Sequence, residues 1–285
     1  MKGISRPSPE LKIRRILVGL DASSHSLAAL AAAADLAAGL RAELIGLFVE
    51  DANLYNLAEL PFAHEVQRHS AARRRFDRER VEAEWRLQAA QARRALREAA
   101  EQAEAKWSFQ VVRGQVTPSL LAAALEADLL ALGRLGWPIS RRSRVGSTAR
   151  AAATGARHSV LVTRQGREFK YPLLVTYDGT PAGAQALGVA MRLAQSSAKP
   201  LNVVLLAPDR EQAAALRVGL EERLAAGAIE AGYHWLQEPD PAQLAVLIRA
   251  SGDCVLVLGG QNPLLEADAV QYLLDATDCP MILVR

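Results

Sequence analysis

Two segments of this chain open in the same way, and that repetition constrains the fold more than any other feature. Ile16-Leu17-Val18-Gly19-Leu20-Asp21-Ala22-Ser23 has the form of Leu173-Leu174-Val175-Thr176-Tyr177-Asp178-Gly179-Thr180: three aliphatics, two further residues, an Asp, a small residue and a hydroxyl. A short aliphatic run that ends on turn residues reads as a strand covered on both faces. The endings agree as well, Val160-Leu161-Val162-Thr163-Arg164 against Met281-Ile282-Leu283-Val284-Arg285. An internal duplication is the simplest account. It divides the 285 residues at the polar stretch Gln165 to Lys170, giving units 1–166 and 167–285.

Within the first unit, Ile13 to Leu20, Glu43 to Val49, Trp107 to Val112, Leu129 to Leu132 and Ser159 to Thr163 read as strands. Ser24 to Leu40, Thr117 to Glu126 and Ser147 to Ala156 read as helices, the first with Ser23 or Ser24 as N-cap. In the second unit a helix at Pro181 to Gln195 and a strand at Leu201 to Leu206 are followed by a helix at Pro241 to Arg249. Strands at Cys254 to Leu258 and Met281 to Val284 complete it. Strands alternating with helices imply crossovers, hence a parallel sheet with helices on both faces. Phe62 to Lys106 reads as one long helix or a helical pair. Its arginines (Arg73 to Arg75, Arg78, Arg80, Arg93, Arg94, Arg97) alternate with glutamates, the pattern of a solvated, salt-bridged face with Val81, Trp85, Leu87 and Leu96 as anchors.

The ligand signal lies late in the first unit. Leu129-Leu130-Ala131-Leu132-Gly133-Arg134-Leu135-Gly136 breaks an apolar run with glycines, and Gly146-Ser147-Thr148 opens an alanine-rich helix nine residues later. Glycines allow close approach of main chain, and the first N–H groups of a helix lack intrahelical partners and favour anions. The second unit has Gly259-Gly260-Gln261-Asn262-Pro263 instead, with no Gly-Ser step after it. One unit is built to bind, and the other has lost that chemistry.

These residues resemble the universal stress protein family of the ATP-binding type, here as a tandem pair. The resemblance rests on the strand-Asp opening with Gly-xx-Gly-x9-Gly-Ser, and covers 12–164 in motif order and 170–285 in plan only. It implies an α/β fold of two tandem five-stranded parallel-sheet sandwiches, Rossmann-like and of the adenine nucleotide alpha hydrolase type, with nucleotide across the carboxyl edge. Carried over by position, Leu20 and Asp21 would meet ribose and adenine, and Val49 would pack near the base. Gly133, Arg134, Leu135 and Gly136 would wrap the ribose–phosphate side, and Gly146, Ser147 and Thr148 would face phosphates. The ligand implied is ATP, with or without Mg2+. Arg142, with Arg141 and Arg144 in the basic spacer Trp137 to Val145, is a further phosphate candidate. The closing strands, Ser159 to Thr163 and Met281 to Val284, would join the halves edge to edge as an intrachain pseudo-dimer, with a homodimer or another protein as further partner.

The implied role is a stress-response regulatory or protective module. Two alternatives stand beside it: slow ATP hydrolysis or nucleotidyl transfer on the same scaffold, and an interaction protein with both sites vestigial. Against fast phosphoryl chemistry, the chain has no GxxxxGK[ST] loop and no acidic pair placed for Mg2+. His25 follows Asp21 closely, but the sequence places no nucleophile beside it. With 34 basic and 31 acidic side chains, the charge of +3 gives no reason to expect nucleic acid. No apolar stretch suggests a signal core or membrane span, so a cytoplasmic setting is expected. Cys254 and Cys279 open neighbouring strands of the second unit and read as buried free thiols.

Overall fold

The computed structural model describes residues 12–60, 64–66, 73–75, 77–135, 145–164, 172–197 and 200–285. In chain order, β1 (Arg15–Gly19), α1 (Ser24–Leu40), β2 (Glu43–Asp51) and α2 (Ala52–Leu57) lead to a hairpin, β3 (His64–Val66) and β4 (Arg73–Arg75). Next come α3 (Arg78–Gln102), β5 (Trp107–Gly114), α4 (Val116–Ala124), β6 (Leu129–Gly133), α5 (Ser147–Gly155) and β7 (Ser159–Thr163). The second half runs β8 (Leu173–Tyr177), α6 (Pro181–Ser197), β9 (Leu201–Leu206), α7 (Arg210–Ala226), β10 (Ala231–Leu236), α8 (Pro241–Ala250) and β11 (Val255–Leu258). A 3-10 turn (Pro263–Leu265), α9 (Ala267–Ala276) and β12 (Met281–Leu283) close it.

The strands form one ten-stranded sheet in the order β10-β9-β8-β11-β12-β7-β6-β1-β2-β5. Read outward from the middle, each half has the same order. Within this sheet all pairings inside a half are parallel, and the halves meet in one antiparallel pair, with Met281, Ile282 and Leu283 opposite Val162, Leu161 and Val160. The edge-to-edge join expected from the closing strands is therefore present. Those two strands are wholly buried, which removes two edges that would otherwise be open to pairing with other chains.

Alternation along β1 sets the layers. Ile16 and Val18 face a core shared with α1, α3, α6 and α7, whereas Leu17 faces one shared with α4, α5, α8 and α9. Both cores run across the join, where α1 packs on α6 and α5 on α9. The last residue ties the halves again: Arg285 donates its guanidinium hydrogen bonds to the carbonyls of Ala153 and Ala156 at the end of α5. Those carbonyls lack intrahelical partners, so a cation is favoured there.

The long charged segment departs from expectation. It holds the β3–β4 hairpin before a single helix, α3, rather than helix throughout. α3 buries Val81, Trp85, Ala92, Leu96 and Ala100 on one stripe, while Leu87, expected to anchor, is 65% exposed. Leu87 lies two positions past Trp85, which on a 3.6-residue period puts it on the opposite side. The charged face carries the pairs Arg80–Glu84 and Arg97–Glu101 one turn apart, as read from the interleaved signs. The sequence reading also missed α7, β10 and α9, which supply the outer strand of the second half and its covering helices.

Candidate functional site

Chain order reverses between β1 and β6: β1 leads outward to β2 and β5, while β6 and β7 lie on its other side. Crevices at such switch points, beyond the carboxyl ends of the strands, are where open α/β sheets hold ligands. Asp21 follows β1, Gly133 ends β6, and Val49 lies near the carboxyl end of β2, so the fold brings these predicted residues to one edge. Leu20 is buried, its N–H donating to the Leu47 carbonyl at 2.9 Å, and acts from within the core.

The turn after β1 is built from its side chains. Asp21 Oδ1 accepts from the Ser23 N–H at 2.9 Å, and Ser23 Oγ accepts from the Ser26 N–H at 3.2 Å as the N-cap of α1. Between them Ala22 takes a left-handed φ of 58°, where the second half uses Gly179 at 77°. The first turn of α1 then lies against Gly133. A Cβ there would stand 2.6 Å from the carbonyl carbon and oxygen of His25, so glycine is required by contact rather than by backbone angle. His25 sits beside this edge with Nδ1 buried and without a hydrogen-bond partner among the described residues. Burial pushes its pKa down, Arg164 adds to that, and Asp21 opposes it.

Arg134 is spent on the architecture. Its N–H donates to the Thr163 carbonyl at 2.7 Å, and its carbonyl accepts from the Gly146 N–H at 2.7 Å. The side chain is buried and crosses to the second half, where Nη1 donates to the Thr277 carbonyl at 2.6 Å and lies 3.4 Å from Asp278. Arg164 reaches the same carboxylate at 2.7 Å. Burial lowers the Arg134 pKa, with Asp278 the main opposing influence.

Gly146 is the N-cap residue of α5 and supplies no side-chain cap. Ser147 is exposed there, and Thr148 Oγ1 lies 2.8 Å from Thr117 Oγ1 of α4, which fixes its rotamer. Thr117 was not singled out from sequence, since a lone Thr in an alanine-rich helix carries no pattern. Leu135 is half-buried at the last described position before the loop. Gly136, Arg141, Arg142 and Arg144 lie outside the described residues. No group of three or more potential metal ligands occurs among the described residues.

The matching switch point of the second half, between β8 and β11, is filled by its own side chains. Asp178 Oδ1 accepts from the N–H of Thr180 at 3.0 Å and from its hydroxyl at 2.6 Å. Asp178 Oδ2 accepts from the Gln261 N–H at 3.0 Å and from Asn262 Nδ2 at 3.1 Å. Gly260, at φ 121°, faces that oxygen so closely that a Cβ would collide with it. The carboxylate thus ties the β8 turn to the loop after β11.

Sheet order, the switch-point crevice and the helix N-termini around it define a doubly wound α/β protein with its candidate ligand edge on the first half. The sequence profile of the universal stress protein family matches residues 12–164, and the chain belongs to that family. Solved structures share the fold. A universal stress protein from Archaeoglobus fulgidus matches with a TM-score of 0.68 and 16% identity, over 95% of this chain and 98% of that one. A functionally unknown protein from Pseudomonas aeruginosa matches at 0.54 and 14%, over 95% and 92%. A universal stress protein solved in complex with cAMP matches at 0.40 and 21%, over 54% of this chain and 99% of its own. A comparison with curated proteins finds no match.

Proposed function

We propose that this universal stress protein binds ATP, or another adenine nucleotide, at the β1–β6 switch point of its first half and acts as a nucleotide-responsive stress-response module. The duplication read from sequence makes residues 1–166 the binding domain and 167–285 a degenerate partner. The observation that carries the reading is the contrast between equivalent edges. In the second half the Asp178 carboxylate receives four donors from its own turn and loop, two of them from Gln261 and Asn262. In the first half the corresponding region ends in Gly146 at the N-cap of α5 with Ser147 exposed beside it, where the second half places the acidic Glu266 at the N-cap of α9. Main-chain N–H groups at such a terminus suit phosphate oxygens. The role of Arg134 in this proposal is to hold the loop, through its bonds to Gly146 and Thr277, rather than to grip phosphate.

The test starts with the purified chain. It is denatured, and any released small molecule is identified; titration calorimetry with ATP and ADP follows, with and without Mg2+. Wild-type chain should release or bind adenine nucleotide, and Gly146→Val and Asp21→Ala should weaken that by tenfold or more. The absence of both released nucleotide and heat of binding at millimolar ATP would overturn the proposal. Accumulation of ADP over time would instead support the slow hydrolase.

A further inference from the structure

The cysteines of the second half form a built pair. β11 and β12 are neighbours with Leu256 opposite Met281, and Cys254 and Cys279 stand two residues before these, just ahead of each strand. Adjacent strands lie about 4.8 Å apart, inside the roughly 4.4–6.8 Å Cα separation that a disulfide bridges. Both thiols belong to the same face of the sheet, that of Leu256 and Met281. The two thiols are close enough to influence each other, and Cys279 Sγ–H donates to Thr277 Oγ1 at 3.7 Å. Both are reduced.

Their surroundings differ. Cys254 is buried, 1% exposed, whereas Cys279 is part-exposed; both line, with Arg249, Asp253 and Asp278, an open cavity of about 410 Å³. Hydrogen bonding to Cys279 and burial push the Cys254 thiol up. The Cys279 thiol is drawn down, first by the Cys254 hydrogen bond and further by Thr277 and the Arg134 cation, against the effect of burial. A part-exposed sulfur beside a buried one suits the division between an attacking and a resolving cysteine.

We propose that Cys279 and Cys254 are an oxidation site that converts to an intrachain disulfide by reaction with hydroperoxides and returns to two thiols by exchange with a dithiol reductant. Cys279, its proton lost to solvent, attacks the terminal peroxide oxygen. An S–O bond forms, the O–O bond breaks, and the departing oxygen takes a proton to leave as water or alcohol. Cys254 then gives up its proton and attacks the Cys279 sulfur; the S–S bond forms, the S–O bond breaks, and hydroxide leaves as water with that proton. Two thiols lose two electrons and the peroxide gains them. This inference does not rest on nucleotide binding, and no other cysteine in the chain competes.

The full-length reduced chain is exposed to hydrogen peroxide, blocked with N-ethylmaleimide under denaturing conditions, and read by intact and peptide mass spectrometry. The expected result is loss of both maleimide adducts together, a linked Cys254–Cys279 peptide, and return of both adducts after dithiothreitol. Cys254→Ser should give a dimedone adduct on Cys279, and Cys279→Ser should leave Cys254 unoxidised. Retention of both maleimide adducts in peroxide-treated wild type would overturn the proposal, as would disulfides only between chains. That wild-type readout holds even where a serine variant fails to fold. Faster dimedone labelling of Cys254 in the Cys279→Ser chain than of Cys279 in the Cys254→Ser chain would overturn the assignment of roles.

Discussion

Arg134→Met separates an arginine that holds the fold from one that holds a ligand. The guanidinium is 5% exposed and gives its short bond, 2.6 Å, to the Thr277 carbonyl, with Asp278 at 3.4 Å. A hydrogen bond from a charged donor is worth about 1.5–3 kcal/mol, and the abandoned buried carbonyl costs a similar amount. Methionine refills much of the stem's volume and removes the burden of a buried charge, so the net loss should be about 2 kcal/mol. Asp278 is 51% exposed and already held by Arg164, so Asp278→Asn should cost at most about 1 kcal/mol, as solvent-screened pairs do. With a urea slope near 3 kcal/mol per molar, the two variants should lower the midpoint by about 0.7 M and at most about 0.3 M. Circular dichroism gives the midpoints, and ATP calorimetry on the same samples gives the second axis. Equal losses for the two variants would refute the weight placed on the carbonyl bond. An unchanged midpoint with ATP affinity lost would return Arg134 to the phosphate-binding role that its place in the sequence suggests.

Four further perturbations follow from the same geometry. Gly133→Ala drives a methyl into the His25 carbonyl and should cost about 1–3 kcal/mol in urea unfolding, as overpacking does; a stability equal to wild type would remove the reason given for that glycine. Ala22→Gly relieves a left-handed alanine and should raise stability by about 0.5–1 kcal/mol, with no gain expected if the turn relaxes for free. Asp178→Ala strips four donors of their acceptor and should cost about 2–4 kcal/mol; a midpoint within error of wild type would mean that the carboxylate does not tie turn to loop. For His25 the folded pKa lies below the unfolded value of 6.5, so as pH falls the unfolded chain takes up the proton first. Its contribution is present above 6.5 and is lost as pH drops from there toward the folded pKa; His25→Gln should flatten that part of the acid limb of the urea midpoint, and an unchanged limb would contradict it.

The sheet was legible because its strands are apolar runs bounded by turn residues. Ser159–Thr163 and Leu201–Leu206 fall where the sequence places them, and β11 and β12 differ by a single residue at one end. Elements without that contrast were not legible. β10, Ala-Gly-Tyr-His-Trp-Leu, is a half-covered edge strand, and its residues are too mixed to announce a period of two. The β3–β4 hairpin falls among arginines whose charge pattern argues equally for helix. Of the candidate site, position was legible but commitment was not. Gly133 is carried over by position in the motif, and its missing Cβ also lets the first turn of α1 lie against it. Arg134 is carried over in the same way, and its charge is buried on Thr277, 143 residues away along the chain. Sequence distance hides such pairings, since nothing local distinguishes an arginine turned toward a ligand from one turned toward another strand.

The repeated Asp shows the same limit from the other side. Asp21 and Asp178 end equivalent strands and make the same first bond, to the N–H two residues on. At Asp178 the partner loop adds two further bonds. Gln261 and Asn262 follow Gly260, whose φ of 121° lets the chain fold back onto the Asp178 carboxylate, and Asn262 also caps the next turn through Leu264. A loop that returns to its own half in this way leaves little for a ligand to satisfy. In the first half Arg134 bonds to Thr277 of the other half and, through its carbonyl, to Gly146 at the start of α5. If loop chemistry rather than the shared Asp decides which edge takes a ligand, Asn262→Ala, which removes the side-chain donor to Asp178 and leaves the Gln261 N–H in place, should loosen the second edge without creating nucleotide binding. The Asp178 turn would persist while the Gly-Ser step is still missing. Calorimetry that found a second ATP per chain in that variant would show the opposite, that the second edge is a complete site held shut.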